Sequence, residues 1–423
     1  MLCKSIAVLI IALLPAIGHA ETLESAWATA LENNHQIKSA KADTSASEQQ
    51  LQSAQGQQLP ELNVSTGYTQ FNEKPTAIAD FDGGSAQFAT SQAGSVKAQA
   101  IVSLPVYTGG RISHTIESAQ SSLEASQQQE AATELNLKMQ VAEAYITVLR
   151  AESAVKVAKS HVDSLTADGK KVQDFFDQGI VAENDVLAIN VSLANAEQQL
   201  LKVNHQLDNA RAYYNRLLNR PLTAEVSLDS HLPNAPEGTL DELTKSALQQ
   251  RPELSAFHAQ INALEQQAES VYANRLPQIS VNSGYQYQQN RYQAHEGLWM
   301  ASVNMDWKLF DGSTTHKSDA LKHQAIALKE KRDDLTSQLA FQVREAWLLI
   351  EETQKRLKTA EKTIKQADEN LKVSRDRYQQ GLTIHTEVLD AENLRLTSYE
   401  NLTNAQYDVA LAKLRLRHAI GIL

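Results

Sequence analysis

Leu59-Pro60-Glu61-Leu62-Asn63-Val64-Ser65-Thr66-Gly67-Tyr68 recurs as Leu276-Pro277-Gln278-Ile279-Ser280-Val281-Asn282-Ser283-Gly284-Tyr285. A second anchor, Phe175-Phe176-Asp177-Gln178-Gly179-Ile180, recurs as Arg377-Tyr378-Gln379-Gln380-Gly381-Leu382. The copies lie roughly 200 residues apart, far beyond the period of a solenoid unit. The reading is a duplicated domain half whose copies pack side by side. Its first repeat spans 21–220 and its second 239–423, with a linker at 221–238 marked by Pro221, Pro233 and Pro236.

Each half spells the same order of elements. A helix of intermediate length is expected over Leu23–Gln57 and again over Leu240–Arg275, with Thr22 and Thr239 as N-caps. The Leu-Pro pairs end these helices. Two alternating strands follow. Leu62, Val64, Thr66 and Tyr68 share a face, as do Val96, Ala98, Ala100, Val102 and Leu104. The second half repeats this with Ile279, Val281, Ser283 and Tyr285, then Trp299, Ala301, Val303, Met305, Trp307 and Leu309. The residues between them are mostly polar. That alternation fits a strand facing lipid on one side, and equally a half-buried sheet in a soluble protein. Trp299 and Trp307 sit far enough apart along a strand to form aromatic girdles at both membrane surfaces. Polar loops, roughly 69–95 and 288–297, close the two hairpins.

A glycine turn then opens a very long helix in each half, ending near Asp177 and near Gln380. No proline interrupts 112–220 or 313–423. At 1.5 Å per residue each is roughly 95 Å long. Ile350, Thr353, Leu357, Ala360, Ile364, Ala367, Leu371, Ser374 and Tyr378 alternate steps of three and four. Val148, Ala151, Val155, Ala158, Val162, Leu165, Gly169, Val172 and Phe176 do the same in the first half, so both stripes read as a coiled-coil seam. After Gly179 and Gly381 the chain reverses into shorter helices, about Asn184–Leu218 and Thr386–Ile420.

The N-terminus reads as a secretory leader over 1–20. It has Lys4, an apolar run from Ile6 to Leu14, Pro15, and small residues up to Ala20. The one cysteine, Cys3, lies within it, so disulfides and thiolate metal sites are not expected in the processed chain. No later apolar run is long enough for a membrane helix. A membrane role therefore demands a β-barrel. The formal charge is −11 with basic residues dispersed, which argues against nucleic-acid binding. The twelve histidines are scattered, and no P-loop, His-Glu-x-x-His or Gly-x-Ser-x-Gly is present. We expect no enzyme activity, no cofactor and no metal site.

Element lengths constrain the architecture further. Two short helices stacked end to end would match one long helix, so each half becomes a two-column rod with strands at one end and a turn at the other. Four strands cannot close a barrel, for which about eight is the minimum. A membrane reading therefore requires several copies, giving eight, twelve or more strands. A soluble periplasmic coiled-coil scaffold or adaptor explains the helices and leader but not two apolar-faced strand pairs at matching points. A secreted helical enzyme has no residues to support it.

The duplicated Leu-Pro strand entry, Leu104-Pro105-Val106-Tyr107-Thr108-Gly109-Gly110-Arg111, and Tyr378-Gln379-Gln380-Gly381-Leu382 leading to Glu387-Val388-Leu389-Asp390-Ala391-Glu392 together resemble the TolC-type outer-membrane factor family. The resemblance covers essentially the whole chain after the leader. It implies a mainly α fold with a membrane β-barrel portion: a homotrimeric tunnel with twelve strands, four per chain, and a helical periplasmic extension. It implies the outer-membrane exit channel of a tripartite efflux pump or type I secretion system in a Gram-negative bacterium. A periplasmic adaptor and an inner-membrane pump or ABC exporter would be its partners. By position, Glu387 and Asp390 match the family's ring of gate acids. Tyr378, Asn184 and Asp185 fall where the family places gate-locking contacts. Gly179, Ile180, Gly381 and Leu382 resemble the adaptor-docking tips. The basic residue that the family carries two positions after the second tip glycine is Thr383 here, which puts a salt-bridge lock in doubt.

Overall fold

The computed structural model describes residues 20–423, so the leader expected over 1–20 lies outside the described residues apart from Ala20. The chain forms two compact units, and each draws on both halves of the sequence. One contains residues up to Lys38, Thr133–Gln250 and Leu339–Leu423. The other contains Ser39–Ala132 and Arg251–Gln338.

The order of elements is α1 (Leu23–Asn33), α2 (His35–Gly56), β1 (Glu61–Gln70), β2 (Thr76–Phe81), β3 (Gly84–Ala89), β4 (Gly94–Tyr107), α3 (Arg111–Asp177) and α4 (Glu183–Leu217). The second half continues with α5 (Leu240–Gln250), α6 (Pro252–Tyr272), β5 (Gln278–Gln288), β6 (Gly297–Asp306), α7 (Thr314–Gln379) and α8 (His385–Ala419). The long helices α3 and α7 run 67 and 66 residues, as the proline-free stretches require.

Three expectations need correction. Each intermediate helix is two helices. Asn34 is extended between α1 and α2; its Oδ1 accepts from Gln36 N at 2.7 Å and its Nδ2 donates to Leu217 O at 2.8 Å. It thus ends one helix, caps the next and ties both to α4. In the second half Pro252 forces Arg251 out of the helical region, and α6 restarts with the proline in its first turn. The first polar loop is not irregular throughout, because β2 and β3 pair within it as an antiparallel ribbon. The last strand stops at Asp306, so Trp307 and Leu309 lie just beyond it.

In the first unit the core repeats as the sequence repeats. Leu23, Ala26 and Ala30 of α1 pack against Leu137, Val141 and Tyr145 of α3 and Leu207 and Tyr214 of α4. Leu243 and Ala247 of α5 pack against Val343 and Ala346 of α7 and Leu416 and Ala419 of α8. Thr22 caps α1, with Ser25 N donating to its Oγ1 at 3.2 Å. Thr239 and Glu242 form a reciprocal capping box at the start of α5. The linker is pinned alongside: Glu21 N donates to Ser227 O at 2.8 Å and Asp229 N to Glu21 O at 3.0 Å. The Tyr145 hydroxyl lies 2.6 Å from both carbonyls, of Glu21 and Asp229, and clamps that junction. The coiled-coil stripes are buried or half-buried at every position except Phe176, which is exposed.

In the second unit, β1, β4, β5 and β6 form one antiparallel sheet in that order. Its helices meet through small polar side chains. Ser47 Oγ lies 2.7 Å from Ser126 Oγ, Thr115 Oγ1 2.8 Å from Ser270 Oγ, and Ser318 Oγ donates to Ala268 O at 2.9 Å.

Two measurements test this packing. Tyr145→Phe removes a partly buried hydrogen bond at the Glu21–Asp229 junction and costs about 1 kcal/mol, read as a lower midpoint for thermal loss of helical circular dichroism in detergent; an unchanged midpoint rejects the clamp. Gly284 faces strand β4 so closely that a Cβ would stand 2.2 Å from Ala100 O. Gly284→Val is therefore expected to abolish assembly of membrane-inserted protein, and normal yield rejects the close approach.

Candidate functional site: a two-faced sheet and paired helical tips

The sheet register sorts its side chains onto two faces of different chemistry. On one face, level by level, stand Leu104–Val281–Val303, Leu62–Val102–Ser283–Ala301, Val64–Ala100–Tyr285–Trp299 and Thr66–Ala98–Tyr287–Gly297. Tyr68–Val96 lies at one end, and Ile279 with Tyr107 and Met305 at the other. The opposite face carries Glu61–Ser103–Asn282–Ser302, Ser65–Gln99–Gln286–Leu298, Gly67–Lys97–Gln288, Ser280–Asn304 and Gln278–Asp306. Ile101, Leu298 and Met300 are its apolar exceptions.

The apolar face has no cover among the described residues. Trp299 is 81% exposed and Val303 71%. The stripe from Tyr107 to Val96 is roughly 36 Å along the strand, or about 25 Å high at a tilt near 45°. Aromatic side chains crowd its ends. Tyr285 and Trp299 meet at 5.4 Å between centroids with their planes 59° apart, Tyr68 stands two levels further out, and Tyr107 and Trp307 lie at the helix end. Trp307 Nε1 donates to Arg275 O at 3.1 Å. The levels between are mostly aliphatic. Strands β1 and β6 are the open edges of the sheet.

The helical tips of the first unit are twins. After α3, Gly179 takes φ +72° while Gly179 N donates to Phe176 O and Ile180 N to Phe175 O. After α7, Gly381 takes φ +70° while Gly381 N donates to Tyr378 O and Leu382 N to Arg377 O. Both are Schellman ends, which need a residue in the left-handed region. Ile180 and Leu382, one residue on, are each 63% exposed.

The predicted gate residues divide into two groups. Tyr378 and Asp185 come together, with the Tyr378 hydroxyl 3.3 Å from Asp185 Oδ2. Burial, then the Asp185 charge and its hydrogen bond, push the Tyr378 phenol up to about 12. The ring also packs against His385 at 5.0 Å and Phe175 at 6.4 Å. Asn184 is exposed beside Asp185 in the first turn of α4, outside the Tyr378 contact. Glu387 and Asp390 are exposed one turn apart on α8, while Val388, Leu389 and Ala391 between and beside them are buried. Thr383 is half-buried in the turn.

Sequence reasoning missed an ion cluster above this tip. Glu392 of α8 is 1% exposed, with His161 Nδ1 at 3.7 Å, Arg375 Nη2 at 3.6 Å and Arg395 Nη1 at 3.8 Å. Arg375 also binds Asp168 at 2.6 Å and Ser164 at 2.7 Å, and Arg395 binds Asp368 at 2.8 Å. Burial pushes the Glu392 carboxyl up, but His161, Ser164 and the two arginines outweigh it and hold it below its ordinary value. The cluster ties α8 to both α3 and α7. The available signal was periodicity: Glu392 and Arg395 continue the buried face begun by Val388.

The outer membrane efflux protein family model matches residues 27–220 and 243–422. Over 414 residues the chain is 22% identical to the outer membrane protein TolC of Vibrio cholerae, covering 96% of this chain and 91% of that one. It is 22% identical over 299 residues to the alkaline protease secretion protein AprF of Pseudomonas aeruginosa, covering 68% and 62%. The crystal structure of the outer membrane protein VceC from Vibrio cholerae shares the fold with a TM-score of 0.78 at 17% identity, covering 94% of this chain and 96% of that one. A sheet apolar on one side and open at both edges, and a pair of twin helical tips, are thus features of an outer-membrane channel with a periplasmic extension, and the chain belongs to the outer membrane efflux protein family.

Proposed function

We propose that three copies close a twelve-stranded barrel and that their helical tips form the inner mouth of a passive exit duct. The observation carrying this reading is the sheet with one apolar face and two unpaired edges. Four strands leave backbone groups that lipid cannot satisfy, so identical copies must supply the missing partners. Twelve strands give a lumen wide enough for solutes, whereas eight leave an interior that side chains fill. The chain itself performs no chemistry in this reading. Residues 1–20 act as a leader, and 21–220 and 239–423, joined by 221–238, are the two repeats.

At the mouth, Glu387 and Asp390 of each copy project into the aperture as two tiers. Six carboxylates brought together repel one another and attract cations. Tyr378 and Asp185 hold α7 to α4 with a partly buried hydrogen bond in place of a salt bridge, since Thr383 cannot make one. Trp299 and Trp307 serve as the membrane girdles. Gly179–Ile180 and Gly381–Leu382 dock a periplasmic adaptor, and an inner-membrane pump or ABC exporter supplies the energy. AprF is named for protease secretion and TolC as an outer membrane protein. Both type I secretion and tripartite efflux are consistent with this geometry.

The double variant Glu387→Ala/Asp390→Ala is expected to raise single-channel conductance in planar bilayers. It should also weaken block by multivalent cations about tenfold, equivalent to a loss of ~1.4 kcal/mol of cation binding. Unchanged conductance and block remove these residues from the aperture. Gly381→Val forces a β-branched residue into a left-handed conformation costing about 1–2 kcal/mol. Export should fail while the heat-sensitive oligomer still forms on gels. Normal export by that variant rejects a docking role for the tip.

A further inference from the structure

Two connections of the sheet do not lead to helices. One joins β1 to β4 and carries the β2–β3 ribbon; the other is the β5–β6 turn, residues 289–296. Because β1 and β5 enter from helices while β4 and β6 leave toward them, both connections stand at the same end of the sheet, the outer rim. Within the chain they touch. Asn290 Nδ2 donates to Thr90 O at 2.9 Å, Gln92 Nε2 to Gln289 O at 3.4 Å and Val96 N to Gln289 Oε1 at 3.3 Å. All these contacts fall on the β4 side of the connection, because β4 is the neighbour of β5. The β1 side, residues 71–74, is exposed.

In a cylinder closed by identical copies, β6 of one copy lies beside β1 of the next, just as β5 lies beside β4 within a copy. Both pairs are antiparallel. The β5–β6 turn of the next copy therefore approaches residues 71–74 as the chain's own turn approaches 90–96. We propose that residues 71–74 and the β5–β6 turn of the adjacent copy form an intersubunit clasp on the outer rim, with Phe71 against Tyr292 and Glu73 against Arg291.

The side chains suit this pairing. Phe71 is 44% exposed and Tyr292 43%. The Arg291 guanidinium lies 5.1 Å over the Tyr292 ring and donates to its hydroxyl at 3.1 Å, which presents a preformed cation–aromatic pair. The rest of the turn is held rigid from inside. Asn290 N donates to Glu296 Oε1 at 2.8 Å, Tyr292 N to Asn290 Oδ1 at 3.2 Å, and Tyr287 OH to Glu296 Oε2 at 2.9 Å. The ribbon needs such support. One of its faces is wholly apolar, with Ala77, Ala79, Phe81, Ala86 and Phe88, and a two-stranded hairpin alone is marginal in water. Held at its base from both flanks, the ribbon is fixed at the channel rim.

The inference rests on ring closure by identical copies, and the test separates the two. Cys3 is the only cysteine in the sequence, so new ones report cleanly. Differently tagged Phe71→Cys and Tyr292→Cys chains are co-expressed, and outer membranes are oxidised. A covalent dimer carrying both tags on non-reducing gels is expected. An intact heat-sensitive oligomer with no such dimer overturns the clasp and leaves ring closure standing; absence of any oligomer in the unsubstituted chain overturns both. Covalent dimers of Phe71→Cys chains alone would place ribbon against ribbon and also overturn it. As a second measurement, Glu73→Arg and Arg291→Glu should each lower the temperature at which the oligomer dissociates in detergent. The double variant should recover that loss, and simple addition of the two losses rejects the pair.

Discussion

An antiparallel sheet with two open edges cannot stand in lipid, and this constraint organises the rest of the molecule. Each unpaired N–H or C=O in hydrocarbon costs several kcal/mol, more than the whole margin by which a typical domain is folded once a strand's worth is summed. The chain alone is therefore an incomplete object. The sharp division of side chains between the two faces follows, since one face must meet lipid and the other an aqueous lumen. So does Gly284, where the strands approach too closely for any side chain. In the proposed ring the helices inherit the same arithmetic, because every copy that completes the barrel also brings its coiled coils.

Duplication supplied the scaffold, and departures from it mark the sites. The helix ends are repeated even in their cap geometry. Asn219 closes α4 in the left-handed conformation that Gly421 uses to close α8, with matching hydrogen bonds from the following residue. Where the halves differ, chemistry appears. Aligned through Gly179 and Gly381, Tyr378 stands opposite Phe176 and Asp390 opposite Ala188, while Glu387 keeps an acid opposite Asp185. Arg375, Glu392 and Arg395 stand opposite Gln173, Asn190 and Leu193. The second copy alone carries the tip phenol and the Arg375, Glu392 and Arg395 that His161, Ser164 and Asp168 of the first copy complete into an ion cluster. A symmetric pair of hairpins was thereby given one hairpin with its own polar attachments.

The long helices, strand pairs, tips and seam were legible because each rests on local periodicity or on a residue with one conformational use. The helix breaks were not equally visible. Pro252 was a plain signal overlooked inside a helical pattern, but Asn34 breaks its helix only because Leu217, far away in sequence, offers a carbonyl to its side chain. The β2–β3 ribbon hid in a stretch rich in Gly, Ser and Asp, where pairing across Asp82–Gly83 competes with loop structure. Among the residues the resemblance placed at the tip, Tyr378 and Asp185 meet, whereas Asn184 points elsewhere. Glu392 was not legible, because a charged residue on a helix is ordinarily solvated, and its burial depends on three partners from two other helices.

These attachments also set an order of strength along the helices. The junction around Tyr145 and Tyr214 is buried, aromatic and hydrogen-bonded to the linker. Toward the tip the core thins to Leu165, Val172, Ile189 and Leu389, and then to Tyr378 with its long bond to Asp185. A hydrogen bond of 3.3 Å in a half-exposed site contributes about 1 kcal/mol or less. The Arg375–Asp168 pair is shorter, more buried and shared with Glu392 and Ser164, so it holds more firmly than the Tyr378 contact. Under the proposed gate, the Tyr378–Asp185 contact is the first to give, and the ion cluster above it limits how far α7 and α8 can part.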